Sequence, residues 1–288
     1  MSRLWTAGLL AGLCALAACS APPAAGPGAA SPSPRGTAAG VPTGPAGPVS
    51  PAARTEPVAA VPAPPPPPRV TVTRTRTADG SVVTLAAFSG PVRYVLHNGS
   101  GDPGPAAAGL VRAGSAITGA EHSRLLAAFN GGFKLSAGAG GYEQEGHVIS
   151  PLLRGLASLV IDRSGQARIG IWGAGVPAPG EAVYSVRQNL PPLVLDGKPT
   201  AAAADWGLWG ATLGGGEYVA RSALGQDAAG ALIYAASMSA SPADLAVALA
   251  GHGARIAMEL DINPEWVQLE WPARATARSA GEADMLAA

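Results

Sequence analysis

Asparagine, glycine and acidic side chains are interleaved in the glycine-rich stretch 127–146. An apolar run ends there at Asn130 and passes into Gly131 and Gly132, and a second glycine cluster precedes Glu145. Glycines this dense indicate turns with positive φ, or backbone that another group approaches closely. A structural loop needs the glycines but not the carboxylates, so we interpret the stretch as part of a site. Alternatively, Asn130 only ends a strand, because asparagine tolerates the left-handed conformation.

Two further carboxylates, Glu259 and Asp261, lie at the end of a short apolar strand near the C-terminus. Residues two apart share one face of a strand. Two carboxylates on one face can divide into an acid and a base, because each alters the pKa of the other. For Glu259 the alternatives are an ion pair with Arg255 or a position on a solvated edge.

Many strands and few helices must position these residues. Alternation of apolar and polar residues predicts a hairpin of two strands, Val70–Thr77 and Val82–Phe88. Ser241 followed by Pro242 predicts the start of a helix. A short helix is also predicted over 120–128. This pattern predicts one α+β domain over 69–271, with mixed β-sheets and a few helices. Further strands are predicted at 92–96, 156–161, 167–172, 219–224, 231–238 and 255–260.

Five segments, in their order along the chain, resemble the phosphodiester glycosidase family, whose domain is that of N-acetylglucosamine-1-phosphodiester alpha-N-acetylglucosaminidase. The resemblance covers about Leu125–Asp261. The segments are NGGF at 130–133, NLPPLV at 189–194, RSALG at 221–225, the helix SPADLAVAL at 241–249 and MELD at 258–261.

The resemblance implies a hydrolase of sugar-1-phosphodiesters or related cell-envelope glycans. Such chemistry needs a cation for the phosphate, an acid for the leaving oxygen and a base or nucleophile. The planar guanidinium of Arg221 suits two phosphate oxygens, although an exposed strand arginine is the alternative. The candidate catalytic residues are Asp261, Glu145 and Arg221, and the candidate substrate-binding residues are Asn130, Gly131, Gly132, Asn189 and Glu259.

The segment after Asp261 departs from the family. The family has Leu-Asp-Gly-Gly-Gly-Ser there, whereas this chain has Ile262–Trp266 after the aspartate. Glycine amides can approach a phosphate closely, but Pro264 has no N–H. The chain is therefore interpreted as a divergent member, and a catalytically inactive glycan-binding or envelope-organising lipoprotein is the alternative function.

The N-terminus has the layout of a secretory signal, with Arg3 before an apolar run that ends at Ala18. Leu-Ala-Ala-Cys at 16–19 resembles a bacterial lipobox, which predicts cleavage before Cys19 and a lipid on its sulfur; an ordinary signal peptide is the alternative. We expect a signal at 1–18, a disordered Pro/Ala-rich linker at 19–68 and a tail at 272–288. The expected location is extracytoplasmic, with the membrane as a partner through the Cys19 lipid.

Composition limits the other partners. The chain has 19 basic and 19 acidic residues and no basic cluster, which argues against nucleic acid. The two cysteines, Cys14 and Cys19, leave no thiolate metal site in a mature chain. The four histidines show no metal-ligand spacing, so no metal is predicted and any cofactor is unknown. A cell-envelope glycan or sugar phosphate is the expected partner.

Overall fold

The computed structural model describes residues 15–20, 66–99, 102–104, 109–114, 116–212 and 214–272. Most of the predicted signal, linker and tail lies outside the described residues. The described strands are β1 (Ala15–Ser20), β2 (Arg69–Arg76), β3 (Val82–Ser89), β4 (Val92–Leu96), β5 (Leu125–Asn130), β6 (Tyr142–Gln144), β7 (His147–Ser150), β8 (Ala157–Ile161), β9 (Ala167–Ile171), β10 (Ser185–Gln188), β11 (Val194–Leu195), β12 (Lys198–Pro199), β13 (Val219–Asp227), β14 (Leu232–Ala240), β15 (Ala254–Asp261) and β16 (Leu269–Glu270). The described α-helices are α1 (Gly119–His122) and α2 (Pro242–Gly251).

A seven-stranded antiparallel sheet carries most of the predicted site residues. Its strand order is β12-β11-β15-β13-β14-β3-β2. The long strands β13 and β14 are buried along most of their length, because both faces of the sheet are covered. Helix α2 packs on one face, where Leu245 and Leu249 contact the apolar side chains of the central strands. The other face forms the main core.

Two smaller sheets complete that core. One has the order β7-β6-β10-β8-β9 and the other β16-β5-β1-β4. Aromatic rings join the sheets: Phe129 of β5 lies 5.6 Å from Phe88 of β3 and 5.1 Å from Tyr234 of β14, measured between ring centroids. Such pairs add to the burial of apolar area. They fix the end of β5 against the centre of the large sheet.

Helix α2 begins as its sequence predicts. The Ser241 hydroxyl accepts a hydrogen bond from the Asp244 N–H, and the Asp244 carboxylate accepts one from the Ser241 N–H. This reciprocal cap satisfies backbone donors that the helix cannot satisfy itself. Ser81, in the turn before β3, also donates to Asp244 at 2.9 Å, which ties the helix start to the sheet.

The predicted α+β class is confirmed, with antiparallel sheets and two short helices in the described part of the chain. The predicted hairpins and long strands occur within a few residues of their expected bounds. The helix expected over 120–128 is instead Gly119–His122, and β5 begins at Leu125. Six short strands were not predicted: β6, β7, β10, β11, β12 and β16. None of the helices described here is long and apolar enough to cross a membrane.

The segment predicted to end the signal forms a strand. β1 lies between β4 and β5 and pairs antiparallel with both, with Ala17 opposite Val95 on one side and Ala128 on the other. β4 and β5 therefore meet only through β1. Apolar runs of small residues suit a buried strand as well as a signal, so composition alone does not separate the two interpretations.

Candidate active site

The ends of β5 and β15 meet at Ser222 of β13. The Asn130 amide donates to the Ser222 hydroxyl at 2.9 Å. The Asp261 N–H also donates to that hydroxyl oxygen, at 3.2 Å, and the Ser222 hydroxyl lies 3.3 Å from the Asp261 carbonyl. Ser222 thus connects Asn130 with Asp261. Ser222 was not among the sequence candidates, although it follows Arg221 directly in the RSALG segment.

Asn130 is held at both ends of its amide. Its Oδ1 accepts a hydrogen bond from the Tyr234 hydroxyl at 2.9 Å and a longer one, 3.4 Å, from the Gln268 N–H. The side chain is buried, so these protein groups fix the orientation of the amide. In this arrangement Asn130 positions the Ser222 hydroxyl and, through it, the start of the loop after Asp261.

A β-bulge separates the two carboxylates at the end of β15. Ala223 pairs with Glu259 while the preceding Ser222 pairs with Asp261, so Leu260 is an extra residue on β15. Bulges occur beside active sites because they redirect side chains. Simple alternation had placed Glu259 and Asp261 on one face, and the bulge gives them different partners instead.

Asp261 is nearly buried, with 6% of its surface exposed. Its Oδ1 accepts hydrogen bonds from the N–H groups of Ile262 at 2.8 Å and Asn263 at 2.9 Å. Burial raises the pKa of Asp261 to about 6, against these hydrogen bonds and the charges of Arg187 and Lys134, which lower it. A carboxyl group with this pKa can take up or release a proton near neutral pH.

Glu259 forms a buried ion pair with Arg221. The Arg221 Nη1 lies 2.7 Å from the Glu259 Oε1, and both side chains are fully buried. Arg221 also donates to the carbonyls of Ala240 and Glu217. Burial raises the pKa of Glu259, and the adjacent guanidinium opposes that shift. The guanidinium of Arg221 thus binds protein groups, and neither Arg221 nor Glu259 is exposed to solvent.

Arg187 is the buried arginine beside Asp261 that sequence reasoning missed. It lies in the unpredicted strand β10, with 3% of its surface exposed. Its guanidinium donates to the Phe133 carbonyl, lies 3.4 Å from the Gly141 carbonyl, and stands over the Tyr142 ring. The available signal was its position two residues before Asn189, at the start of the NLPPLV segment.

Asn189 supports the end of β15. Its Nδ2 donates to the carbonyls of Glu259 at 2.6 Å and Leu260 at 3.0 Å. Gly132 lies against the same group with φ +125°, and a Cβ there would stand 3.5 Å from the Leu260 carbonyl and 3.6 Å from the Asn189 Cγ. Gly131 is also buried. These candidates converge on the strand end that carries Asp261.

Glu145 lies elsewhere, in the turn between β6 and β7 with φ +52°. Its carboxylate accepts hydrogen bonds from the N–H groups of Arg112 and Ala113, both at 2.8 Å. Its own N–H donates to the Ser185 hydroxyl. This carboxylate anchors the loop before α1, and no contact with the residues around Asp261 is found for it.

The segment Ile262–Trp266 packs beside Asp261. Ile262 is largely buried, and a Cβ on Gly210 would stand 2.9 Å from the Ile262 Cδ1 and 3.0 Å from the Phe133 ring. The Lys134 ammonium lies 5.3 Å from the centre of the Trp266 ring. No group of three metal-ligating side chains occurs among the described residues.

No protein-family model and no curated protein sequence matches the chain. Solved structures do match. The catalytic domain of zebrafish N-acetylglucosamine-1-phosphodiester alpha-N-acetylglucosaminidase, auto-inhibited by its pro-peptide, is 15% identical, with a TM-score of 0.44 over 71% of this chain and 73% of that one. A hypothetical protein from Synechocystis is 16% identical, with a TM-score of 0.43 over 70% of this chain and 57% of that one. Both are distant likenesses of fold.

Proposed function

We propose that the chain is a hydrolase of sugar-1-phosphodiesters or related cell-envelope glycan bonds, with Asp261 as its central catalytic group. The observation that carries this proposal is the state of Asp261: nearly buried, oriented by two backbone N–H groups, and with its pKa raised to about 6. A carboxylate whose pKa is shifted toward the working pH by burial is a candidate for catalysis. The sequence resemblance supplies the substrate class.

One carboxylate suffices for such a bond. When the anomeric C–O bond breaks, its electron pair leaves on a phosphate oxygen. The leaving group is a phosphate monoester dianion, whose conjugate acid has a pKa of about 6, so it needs little help from an acid. The water oxygen bonds to the anomeric carbon, one of its protons goes to Asp261, and the other stays on the new hydroxyl of the sugar. Asp261 is therefore the base, and the proposal needs no second carboxylate such as Glu145.

The location proposed with this activity is the outer side of a membrane. The lipobox-like segment ending at Cys19 supports a lipid anchor, and the proline-rich sequence to residue 68 supports a tether to the folded domain. A cell-envelope glycan or sugar phosphate would then be within reach of the site, with the membrane as second partner. Detection of a diacylglyceryl group on Cys19 by mass spectrometry of the membrane fraction tests this location.

A second function is favoured by one observation, the replacement of the family glycines by Ile262–Trp266. A chain that kept the fold and the binding surface but lost catalysis would be a glycan-binding or envelope-organising lipoprotein. The two functions differ in one measurable respect, because only the first produces free sugar from a bound phosphodiester.

The experiment is hydrolysis of a sugar-1-phosphodiester by the wild type, Asp261→Asn and Asp79→Asn. Asp79 is an exposed turn residue that serves as the matched control. We expect Asp261→Asn to lower kcat by about a hundredfold or more, the usual contribution of a positioned acid or base, and Asp79→Asn to have no effect. Equal turnover by all three proteins would remove Asp261 from the mechanism, and binding without turnover by the wild type would favour the second function.

A further inference from the structure

Arg187 is a buried cation without a carboxylate partner in the described part of the chain. Its Nε has no hydrogen-bond partner there, and its other donors go to backbone carbonyls. A buried charge is stable when an opposite charge compensates it. No described carboxylate lies within ion-pair distance, whereas Arg221 has Glu259 at 2.7 Å. Arg187 is therefore suited to receive an anion.

Lys134 is a second cation in the same region. It directly follows Phe133, whose carbonyl accepts a hydrogen bond from Arg187. Its ammonium lies over the Trp266 ring, 5.3 Å from the ring centre, as in a cation–π contact. Trp266 belongs to the segment that Asp261 orients through the Asn263 N–H. These contacts join both cations to the segments around Asp261, and the charges of both Lys134 and Arg187 lower the pKa of Asp261.

We propose that Lys134 and Arg187 form a phosphate subsite beside Asp261, and that Trp266 positions Lys134 in it. This inference rests on the proposed function and names the part of the substrate that this chain recognises. The segment after Asp261 lacks glycines whose backbone amides could approach a phosphate, and two cationic side chains would bind it instead. Arg187 offers an unpartnered Nε–H and a buried positive charge, and Lys134 offers a point charge.

This arrangement favours a phosphodiester over a neutral glycoside. The negative charge of the phosphodiester compensates the buried guanidinium, which a neutral sugar cannot do. Asp261 at the edge of the subsite then stands next to the bond between sugar and phosphate. The lack of glycines in the segment Ile262–Trp266 favoured a loss of catalysis. In this proposal the same segment is part of the substrate site, through Trp266.

The test is isothermal titration calorimetry of the full chain with methyl N-acetyl-α-glucosaminyl phosphate, in an Asp261→Asn background so that the ligand survives. The neutral methyl N-acetyl-α-glucosaminide and inorganic phosphate are the comparison ligands. The chain has two lysines, and the exposed Lys198 of β12 gives the matched control, Lys198→Met. We expect Lys134→Met to raise the Kd for the phosphodiester about tenfold, while Lys198→Met changes it less than about twofold.

Trp266 is tested in the same titration. Trp266→Leu should weaken binding as much as Lys134→Met, the double variant should be no weaker than either, and Trp266→Phe should restore most of the affinity because it keeps an aromatic face. Equal Kd values for Lys134→Met and Lys198→Met would overturn the subsite. Inorganic phosphate binding as tightly as the phosphodiester would overturn the assignment to sugar phosphates.

Hydrolysis is measured in proteins that keep Asp261, namely the wild type and Lys134→Met. This measurement separates the inference from the proposed function. Binding that depends on Lys134, without any hydrolysis, would overturn the proposed function and leave the subsite standing. Hydrolysis with the same KM in wild type and Lys134→Met would overturn the subsite and leave the function standing. A raised KM in Lys134→Met with little change in kcat supports both.

Discussion

Arg221 and Glu259 form an ion pair of 2.7 Å between neighbouring strands, and neither side chain is exposed. Removing one partner leaves the other charge buried and unpaired, which costs about 3–5 kcal/mol. We therefore expect Arg221→Met to lower the free energy of unfolding by that amount, as measured by urea denaturation. The double variant Arg221→Met/Glu259→Met should be more stable than Arg221→Met alone. Additive losses would show that the two charges do not depend on each other.

Asp261 should make the folded protein less stable at neutral pH. Its pKa is about 6 in the folded protein and near 3.8 in the unfolded chain, so the folded state is the harder one to ionise. The destabilisation caused by Asp261 is therefore absent below about pH 4, grows as the pH rises to about 6, and is fully present at pH 7.

Asp261→Asn removes that loss, and asparagine can still accept the hydrogen bonds from Ile262 and Asn263. We expect the variant to be more stable than the wild type at pH 7, by up to about 3 kcal/mol, and equally stable at pH 4. Thermal unfolding of both proteins at the two pH values is the measurement. The same stabilisation at pH 4 as at pH 7 would contradict a raised pKa.

Glu145 is predicted to have a structural role. Its carboxylate accepts two backbone hydrogen bonds from the loop at Arg112 and Ala113. Glu145→Gln keeps one strong acceptor and should lower the free energy of unfolding by about 1 kcal/mol, with kcat within about twofold of wild type. Steady-state hydrolysis beside thermal unfolding tests this. A fall in kcat as large as that of Asp261→Asn would contradict the structural role and support Glu145 as a catalytic residue.

The long strands and the start of helix α2 could be predicted from the sequence. Alternation of apolar residues gave the β2–β3 hairpin and the β13–β14 pair, and the cap at Ser241 gave the start of α2. The strands that were missed have two to four residues, except β1, which has six. Strands this short carry too few residues for a period to be read, and they form because neighbouring strands pair with them.

Several residues of the candidate site could be singled out from the sequence. Asn130, Asn189, Gly132 and Asp261 stand at ends of strands, where a break in the pattern shows in the sequence. Arg187 was missed because β10 was missed, and a buried arginine looks like any other arginine in a sequence. The different partners of Glu259 and Asp261 depend on the bulge at Leu260, which only the pairing of β15 with β13 reveals.

The pH dependence of hydrolysis should report Asp261 and Lys134 together. If Asp261 acts as the base, kcat/KM rises with pH along a limb centred near pH 6. The charge of Lys134 holds the pKa of Asp261 down, so Lys134→Met should move that limb to higher pH. Lys198→Met should leave it in place. An unchanged pH profile of kcat/KM in Lys134→Met would contradict the effect of the Lys134 charge on the pKa of Asp261.

Because β1 pairs with two strands, we expect the chain that keeps residues 1–18 to be more stable than the chain cut before Cys19. β1 supplies the shared partner of β4 and β5, and each backbone hydrogen bond contributes about 1 kcal/mol. We expect the uncut chain, produced without export, to unfold at a higher temperature than the processed one. Ala17→Pro, which removes an N–H from the centre of β1, should abolish the difference, whereas Ala17→Ser keeps the N–H and should preserve it. Equal unfolding temperatures for all forms would mean that these residues act only as a signal and that the folded domain does not need them.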